Sequence, residues 1–363
     1  MNARSIMIMA GGTGGHVFPA LAVARELREQ DYEVVWLGTH RGLEGRLVPE
    51  AGFAIEWVSI SGLRGKSPFT WLLAPFRLLI ALFQSLRVVS RRRPGAVLGM
   101  GGFVSGPGGL ATWLLRRPLV VHEQNAVAGL TNRLLARLAG RVLQAFPGSF
   151  PAWANAETIG NPVRPEILAV PEPGTRFANR SGPPRVLVIG GSQGALALNR
   201  AVPKALALLQ QAPDLAVRHQ AGTATLEIAR RAYAEAGIEA RIETFIDDMA
   251  AAYAWADLVV CRAGAITIAE LAAVGVPAVL VPFPFAVDDH QTANAGYLVA
   301  AGAAEIVQQE QLDPTVLASR LSLLLADRSR LLEMANKARS LARPGAGHRL
   351  TEICMALANG ADA

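Results

Sequence analysis

The stretch that decides the fold is Ser5–His16, SIMIMAGGTGGH, in which a short apolar run ends in glycines. A helical pattern, Pro19–Gln30, follows it. The second half opens in the same way, with RVLVIGGSQGA at Arg185–Ala195, and Gly11 and Gly191 are 180 residues apart. A strand, a glycine turn and a helix form the opening of a βαβ unit. The repetition predicts two doubly wound, Rossmann-like α/β domains that face each other across a cleft lined by these loops.

Ten short apolar runs, five in each half, have the length and composition of strands of parallel sheets. They are Ser5–Ala10, Glu33–Leu37, Ala96–Met100, Leu119–His122, Arg141–Ala145, Arg185–Gly190, Ala216–Gln220, Ala240–Thr244, Leu258–Cys261 and Ala278–Phe283. The proline- and glycine-rich stretch Pro162–Pro184 is typical of a linker. We therefore predict domains at residues 1–163 and 164–342, and a C-terminal helix within 343–363 that can pack back on the first domain.

The composition is that of a folded protein with two domains. Of 363 residues, 51% are hydrophobic and 18% are charged, which excludes a disordered chain, and the net charge of +6 is only a mild basic excess. Nucleic acid is therefore not an expected partner. Two cysteines, Cys261 and Cys354, cannot form a disulfide framework and favour a reducing cytosol. The apolar run Ser5–Ala10 is too short for a signal peptide.

The segment at residues 64–93 predicts contact with an anionic membrane surface. It combines large apolar and aromatic residues, among them Trp71 and Phe83, with flanking cations, as in helices that lie in the bilayer interface. The alternative is a core-packed helix with a solvated basic end. Its apolar run Pro68–Leu86 contains Arg77, so we do not expect it to span the bilayer.

The first glycine-rich loop, GGTGGH at Gly11–His16, can bring backbone N–H groups close to an anionic or electron-rich ligand. Its spacing fits neither a dinucleotide fingerprint nor a P-loop. His16 at its end can act as a proton acceptor. A tight strand-to-helix turn and a packing or capping histidine are the alternatives.

A second glycine-rich stretch, Gly99–Gly109, has six glycines in eleven residues, which suggests that a phosphate or pyrophosphate approaches its backbone. Four polar residues, His122–Asn125, then end an apolar strand. This density at a carboxyl end favours a binding site over an ordinary strand end.

In the second half, Gly190–Gly194 again offers amide donors before a helix, and the Ser192 hydroxyl can add a further donor to a phosphate. Arg164 can supply a cation to the same diphosphate. An interdomain salt bridge is the alternative for Arg164. The turn that leads from strand Leu258–Cys261 into the next helix lies in the same half.

Several acidic and polar residues of this half also point to specific roles. Glu270 lies in an otherwise apolar helix and needs a partner or water, and a ribose presents two suitable hydroxyls. Asp247 and Asp248 fit a helix cap better than a metal site. The polar cluster Asp288–Gln291 with Asn294 is suited to sugar hydroxyls.

The motifs GGTGGH, GMGGFVSGPGG, HEQN, GNPVR, GGSQGA, FIDDMAAAYAWAD and CRAGAITIAE occur in this order, and the chain closely resembles the MurG family of bacterial glycosyltransferases from Ala10 to about Ala301. The resemblance implies a GT-B fold and a UDP-N-acetylglucosamine donor. It implies the acceptor lipid I (undecaprenyl-pyrophosphoryl-N-acetylmuramoyl-pentapeptide) and an inverting β-1,4 transfer that yields lipid II for the cell wall. It also implies a peripheral location on the cytoplasmic face of the inner membrane.

The resemblance assigns roles residue by residue. It casts His16 as the base. It implies donor contacts at Thr13, Gly14, Gly15, Asn125, Arg164, Ser192, Ile246, Ala265, Ile266, Thr267, Ile268, Ala269, Glu270, Gln291 and Asn294. We expect acceptor-side contacts at Gly101, Gly102, Ser105, His122 and Glu123. Ala263 and Phe103 stand where related sequences can carry Ser and Tyr, so no hydroxyl acts at these positions.

The expected hexosyltransferase needs no cofactor and no metal, because glycine-loop amides, helix N-termini and Arg164 can stabilise the leaving diphosphate. Two alternatives stay open on the sequence. One is a related GT-B enzyme with a different lipid or small-molecule acceptor. The other is a non-catalytic protein that binds nucleotide sugars.

Overall fold

The structure, a computed structural model, describes residues 4–60, 73–178, 180–191, 194–209 and 215–360. The chain divides into two compact units. Unit 1 comprises Met1–Val163 with Pro344–Ala363, and unit 2 comprises Arg164–Arg343.

Within its described residues, unit 1 contains a seven-stranded parallel sheet of order β3-β2-β1-β4-β5-β6-β7. The strands are β1 Ser5–Ala10, β2 Glu33–Gly38, β3 Ala54–Trp57, β4 Ala96–Gly101, β5 Leu119–Glu123, β6 Arg141–Gln144 and β7 Glu157–Thr158. The helices are α1 Gly14–Glu29, α2 Glu44–Glu50, α3 Ala74–Arg92, α4 Ser105–Leu114 and α5 Leu130–Leu135, with the C-terminal helix given below. One apolar core lies on each face of the sheet. Because both faces are covered, β1 is buried along its whole length.

Unit 2 has a six-stranded parallel sheet in its described part, of order β10-β9-β8-β11-β12-β13. The strands are β8 Arg185–Ile189, β9 Ala216–Gln220, β10 Arg241–Glu243, β11 Leu258–Cys261, β12 Ala278–Leu280 and β13 Ala304–Ile306. The helices are α6 Pro165–Leu168, α7 Pro173–Ala178, α8 Leu196–Ala207, α9 Leu226–Ala236, α10 Met249–Trp255, α11 Ala265–Val274, α12 His290–Ala300, α13 Pro314–Leu325 and α14 Arg328–Ser340.

The two sheets share one topology, in which the strand order reverses beside the first strand of the unit. The reversal falls between β1 and β4 in unit 1 and between β8 and β11 in unit 2. In doubly wound sheets, ligands bind at this point, beyond the carboxyl ends of the strands. The loops of interest are therefore those after β1 and β4, and those after β8 and β11.

The prediction of two α/β units built on parallel sheets is confirmed, and all ten predicted strands are present. Strand β12 ends at Leu280, three residues before its predicted end, and the short strands β3, β7 and β13 were missed. Helix α1 begins at Gly14, not at Pro19 as predicted. Gly14, Gly15 and His16 therefore form the first turn of a helix.

The interpretation of the stretch Pro162–Pro184 as a linker without packed elements was wrong. Helices α6 and α7 lie within it, and each begins with a proline. Arg176 of α7 is buried and donates to the carbonyl oxygens of Pro171, at 3.0 Å, and of Val274 at the end of α11, also at 3.0 Å. The segment is thus packed into unit 2.

The C-terminal helix α15, Ala346–Ala358, belongs to unit 1. Leu350, Ile353 and Leu357 are buried in the same core as the apolar face of α1. His348 Nδ1 lies 2.7 Å from Glu26 Oε1 of α1. The last helix of the chain therefore completes the core of the first unit.

Across the part of the chain that the structure describes, no helix has both the length and the apolar character that crossing a membrane requires.

Candidate functional site

The loop after β1 in unit 1 is held from below by a buried carboxylate. Glu44, at the start of α2, has no exposed surface and accepts hydrogen bonds from Gly12 N at 2.9 Å and from Thr39 N at 3.1 Å. The Thr39 hydroxyl donates to it as well, at 2.7 Å. Thr13, the extended N-cap residue of α1, makes no side-chain cap. The first-turn amides of α1 are therefore not capped by that side chain, which is the usual setting for an anionic ligand.

The loop after β4 packs directly on this first loop, and this contact explains its glycines. Gly101 and Gly102 have φ values of +103° and +86°, which favour glycine. A Cβ on Gly101 would lie 3.0 Å from the His16 ring, and a Cβ on Gly102 would overlap the Gly11 backbone. Gly109 is packed as closely, since its Cβ would lie 2.6 Å from Leu135. The proposed pyrophosphate contact is therefore not needed to account for these glycines.

His16, half-buried, ends a chain of side-chain hydrogen bonds that runs through unit 1. His16 Nδ1 lies 2.6 Å from Gln124 Oε1, and Gln124 Nε2 lies 2.9 Å from His122 Nδ1. His122 Nε2 lies 2.9 Å from the Gly160 carbonyl oxygen. We call these four residues the His16 hydrogen-bond chain. The sequence analysis included Gln124 in the polar strand end His122–Asn125 but assigned it no role of its own.

Three residues predicted as acceptor contacts have buried side chains that bind the protein itself. Ser105 donates to the carbonyl oxygens of Met9 and Gly101, and His122 belongs to the His16 hydrogen-bond chain. Glu123 accepts from Asn125 N at 2.9 Å and from Asn132 Nδ2 at 2.8 Å. The exposed fraction is 0% for Ser105 and His122 and 1% for Glu123. As placed, these three side chains bind protein groups and position loops, and the acceptor contacts predicted for them stay predictions.

Burial also decides the charge state of His122. It lowers the pKa of this imidazole to about 4, and its bond to the Gly160 carbonyl and the nearby Glu123 only partly oppose the shift. His122 is therefore a neutral imidazole near neutral pH. With so low a pKa, His122 is a weak base and could not replace His16 as the general base.

In unit 2 the structure brings together two of the predicted donor residues, Arg164 and Glu270. Arg164 Nη2 lies 3.2 Å from Glu270 Oε1, with the Arg164 side chain 42% exposed and that of Glu270 10% exposed. The Tyr253 hydroxyl donates to Glu270 Oε2 at 3.1 Å. The expectation that Glu270 has a partner is confirmed. The alternative of an interdomain salt bridge for Arg164 was wrong, because the pair lies within unit 2.

The pKa of Glu270 is raised, chiefly because burial penalises its charged form, while Arg164 and Tyr253 act in the opposite direction. Burial likewise raises the pKa of Tyr253 well above its ordinary value. Tyr253 thus remains a hydroxyl donor, and sequence analysis missed it because an apolar helix pattern gives no sign of its partner. The arrangement is a partly exposed cation paired with a buried carboxylate, whose second oxygen accepts from Tyr253.

The remaining loops of the unit 2 switch point are closely fitted. A Cβ on Gly190 would lie 2.8 Å from Ala195 N, and Gly191 has φ +78°. Asn199 of α8 donates to the Ala221 carbonyl oxygen at 3.0 Å, and its Oδ1 lies 3.0 Å from Nε2 of the buried His219. Ser192, predicted to contact the diphosphate, lies outside the described residues.

Among the described N-cap residues of unit 2, Asp248, Asp313 and Asp327 cap α10, α13 and α14 with their side chains. The N-cap residues of α8 and α11, at the switch point, make no side-chain cap, and neither do those of α6, α9 and α12. The prediction that Asp248 is a cap is confirmed. Within the described chain, no three side chains of His, Cys, Asp or Glu cluster as metal ligands would.

The other predicted donor residues lie around these elements. Ala265–Ala269 forms the first turns of α11. The side chain of Ile268 is fully buried, so only the backbone of Ile268 can contact a ligand. The Ile246 side chain is buried as well. Gln291 accepts from Phe283 N at 2.9 Å, and Asn294 donates to the Ala263 carbonyl oxygen at 3.1 Å. Gln291 thus holds the loop after β12, and Asn294 holds the loop after β11.

Comparison with known proteins agrees with this architecture. Residues 6–144 match the glycosyltransferase family 28 N-terminal domain, and residues 185–350 match the glycosyltransferase family 28 C-terminal domain. A relative from Nitrosococcus oceani is 59% identical over 358 residues, 99% of this chain and 100% of the relative. A relative from Alkalilimnicola ehrlichii is 59% identical over 350 residues, 96% of this chain and 98% of the relative.

Both relatives are named UDP-N-acetylglucosamine–N-acetylmuramyl-(pentapeptide) pyrophosphoryl-undecaprenol N-acetylglucosamine transferase. The crystal structure of Acinetobacter baumannii MurG superposes with a TM-score of 0.86 at 43% identity, covering 97% of this chain and 99% of that one. The chain belongs to the MurG family. It is thus a family 28 glycosyltransferase, and its two α/β units are those of the MurG fold, which confirms the resemblance drawn from the motifs.

Proposed function

We propose that this protein transfers N-acetylglucosamine from UDP-N-acetylglucosamine to the 4-hydroxyl of the N-acetylmuramoyl group of lipid I, with inversion, to give lipid II. The observation that carries the proposal is the 59% identity, over nearly the whole chain, to relatives that bear the name of this transferase. The same reaction gives a role to the His16 hydrogen-bond chain of unit 1 and to the Arg164–Glu270 pair of unit 2.

The donor belongs to unit 2 in this proposal. Arg164 supplies a cation for the diphosphate, and the buried carboxylate of Glu270 accepts hydrogen bonds from the ribose hydroxyls. The support is their 3.2 Å pair, in which Arg164 keeps a large exposed surface. When the donor binds, hydroxyls replace Arg164 at Glu270, and Arg164 is released to the phosphate. The N-termini of α8 and α11, whose N-cap side chains make no cap, add N–H dipoles that stabilise that charge.

His16 is the base in this proposal. The acceptor 4-hydroxyl gives its proton to His16 Nε2 while its oxygen forms the bond to C1 of the sugar. The bond from C1 to the β-phosphate oxygen of UDP breaks, and UDP leaves with the electron pair. His16 becomes an imidazolium whose Nδ1–H continues to donate to Gln124 Oε1, 2.6 Å away. The other predicted contacts of unit 1, Thr13–Gly15, belong to the same helix turn.

No metal or other cofactor takes part in this scheme, because Arg164 and the helix dipoles carry the stabilisation of the leaving group. We expect excess EDTA to leave turnover unchanged in the assay below. A loss of turnover that only a divalent ion restores would contradict this part.

We further propose that unit 1 binds the cytoplasmic face of the inner membrane as a peripheral protein. The support is helix α3, where Phe76, Leu79 and Phe83 expose 69%, 63% and 68% of their surface. Arg77 and Arg87 on this helix are exposed too. Large solvent-facing apolar groups with cations on one helix suit an anionic bilayer interface. The part of the predicted segment at residues 64–72 lies outside the described residues.

The described structure changes two details of the predicted membrane segment. Arg91 Nη2 lies 2.6 Å from Glu56 Oε2 and Arg92 Nη2 lies 2.7 Å from Glu56 Oε1, which reduces their attraction for anionic lipid. The neighbouring helices add exposed apolar groups that the sequence analysis missed. They are Trp113, Leu114, Leu130 and Leu134, each 48–67% exposed.

A flotation assay with vesicles containing anionic lipid tests this surface. The double variant Phe76→Glu/Phe83→Glu should abolish flotation, and Leu323→Glu is the matched control, since Leu323 is 58% exposed on α13 of unit 2. Equal flotation of all three proteins would remove α3 as the membrane contact.

Turnover of radiolabelled UDP-N-acetylglucosamine with a short-chain lipid I analogue tests the reaction. We expect labelled lipid II analogue, and a fall in kcat of about 100-fold or more for His16→Ala. Donor binding without turnover on any acceptor would indicate a binding protein. Turnover on another lipid or small molecule, but not on the lipid I analogue, would indicate a related glycosyltransferase.

A further inference from the structure

The direction of every bond in the His16 hydrogen-bond chain is fixed by groups that can only accept. The Gly160 carbonyl has no proton to give, so His122 Nε2, at 2.9 Å, must carry the hydrogen. A neutral His122 then has a lone pair on Nδ1, and its burial, which lowers its pKa to about 4, keeps it neutral. Nδ1 therefore accepts from the amide nitrogen of Gln124 at 2.9 Å.

A second carbonyl fixes the orientation of the Gln124 amide independently. Gln124 Nε2 lies 2.9 Å from the backbone carbonyl oxygen of His122, which again can only accept. In the flipped amide, two oxygens would face each other at that distance. Gln124 Oε1 is thus the atom at 2.6 Å from His16 Nδ1, and because an amide oxygen only accepts, His16 Nδ1 must carry a hydrogen.

The chain itself is held in place by its surroundings. Gln124 and His122 have no exposed surface, and Asn161 Nδ2 donates to the Gln124 carbonyl oxygen at 3.0 Å. A Cβ on Gly101 would lie 3.0 Å from the His16 ring, so the β4 loop packs closely against that ring. Water has no access to the buried amide of Gln124, and the imidazole orientation is set by protein groups alone.

We propose that Gln124, supported by His122, is a positioning residue that holds His16 as its Nδ1–H tautomer, so that Nε2 keeps the lone pair needed to accept a proton. The proposal deepens the function proposed above and rests on it for the role of Nε2. The bond that one imidazole nitrogen makes sets the protonation of the other. Because Gln124 is uncharged, it orients His16 without adding a negative charge beside the anionic substrates.

Nitrogen-15 NMR of the full-length protein, labelled at histidine, reads the tautomer directly. The His16 resonances are assigned by their loss in His16→Gln. We expect a pyrrole-type Nδ1 and a pyridine-type Nε2 for His16 in the wild type. Gln124→Met, similar in size but with no amide oxygen, should lose this pattern. Gln124→Glu should regain it, because burial keeps the new carboxyl protonated: its O–H replaces Nε2 as the donor, and its other oxygen accepts from Nδ1–H.

Kinetics give a second readout that a purely structural defect would not reproduce. Gln124→Met should lower kcat about 10- to 100-fold, less than the roughly 100- to 10,000-fold that general-base help contributes, with the KM for UDP-N-acetylglucosamine unchanged. Gln124→Glu should recover part of kcat. Unchanged resonances of His348, whose Nδ1 lies 2.7 Å from Glu26 Oε1 in unit 1, serve as the check that unit 1 of the variants folds.

A wild-type His16 with the hydrogen on Nε2 would overturn the proposal, as would a Gln124→Met protein that keeps both the wild-type tautomer and the wild-type kcat. The spectra report the tautomer whether or not the lipid I analogue is turned over. A failure of the proposed function therefore appears in the turnover assay of the wild type, and a failure of the positioning role appears in the spectra.

Discussion

Mild acid should destabilise both units, because each contains one fully buried neutral histidine. His122 in unit 1 and His219 in unit 2 have no exposed surface, and burial lowers their pKa values from 6.5 to about 4 and about 3. In the unfolded chain both titrate near 6.5. Between the two pKa values the unfolded state binds more protons, so the free energy of unfolding falls as the pH falls.

The magnitude follows from the gap between the unfolded and folded pKa values, at about 1.36 kcal/mol per pH unit. The full loss is about 3 kcal/mol for His122 and about 5 kcal/mol for His219, reached when the pH passes below the folded pKa. At about pH 5 each has contributed a loss of about 2 kcal/mol relative to about pH 8. Above about pH 7.5 neither histidine affects the pH dependence.

Urea unfolding at about pH 8, 6.5 and 5, followed by peptide-resolved hydrogen exchange, measures this loss separately in each unit. His122→Gln should flatten the pH dependence of unit 1, and His219→Gln that of unit 2, whatever either substitution costs at about pH 8. His40→Gln is the control, because His40 is exposed and stacks on Trp57. If all four proteins lose the same stability between about pH 8 and 5, the two histidines are not buried neutral groups. The bond from Gln124 Nε2 to His122 Nδ1 would then lose its basis, while the orientation of the Gln124 amide would still rest on the His122 carbonyl oxygen.

Three further substitutions test the packing of the site and of the fold. Tyr253→Phe removes a hydrogen bond to the Glu270 carboxylate, so it should weaken UDP-N-acetylglucosamine binding about tenfold and leave kcat unchanged. Calorimetry measures the affinity, and an unaltered affinity would contradict the role of Tyr253. Gly102→Ala should lower the Tm of unit 1 and kcat together, at a cost of about 1 kcal/mol or more, because its φ of +86° disfavours a side chain. Gly129→Ala, with open space around it, should change neither. Leu350→Ala in α15 should cost about 2–5 kcal/mol in the urea unfolding of unit 1; a smaller loss would show that α15 is dispensable for its core.

The strand ends and glycine turns could be predicted because they are local. An apolar run of five or six residues followed by Gly-Gly predicts both a strand and the residue at which it ends, as at Gly11 and Gly191. The two prolines that begin α6 and α7 were misread, although proline at the first position of a helix is common. A local signal existed there, and the density of prolines obscured it.

The residues that shape the site were harder to predict because their partners are distant in sequence. His16 and Gln124 are 108 positions apart, and only the placement of β4 between β1 and β5 brings them together. Glu44 follows a polar loop and has the local features of an exposed acid at a helix start. Its burial under Gly12 depends on the packing of α2 and β2 beside β1. The contacts of His16 with Gln124 and of Glu44 with Gly12 follow from the order of the strands in the sheet, and no local sequence pattern predicts that order.

The two units use one topology for two different physical tasks. In unit 1, the groups that lead to His16 are uncharged and end at backbone carbonyls, so they can fix which nitrogen carries a proton without favouring either charge state of a substrate. In unit 2, helix α11, which follows β11 at the equivalent switch point, carries the buried carboxylate of Glu270, and this carboxylate is paired with the half-exposed Arg164. A carboxylate at 10% exposure is costly unless it is paired, so a ligand that displaces Arg164 must provide hydrogen-bond donors in its place. Ribose hydroxyls do so, and a second anion would not. In the proposed reaction, proton transfer and recognition of the leaving nucleotide depend on different units, so a variant of the His16 hydrogen-bond chain should change kcat while leaving donor affinity intact.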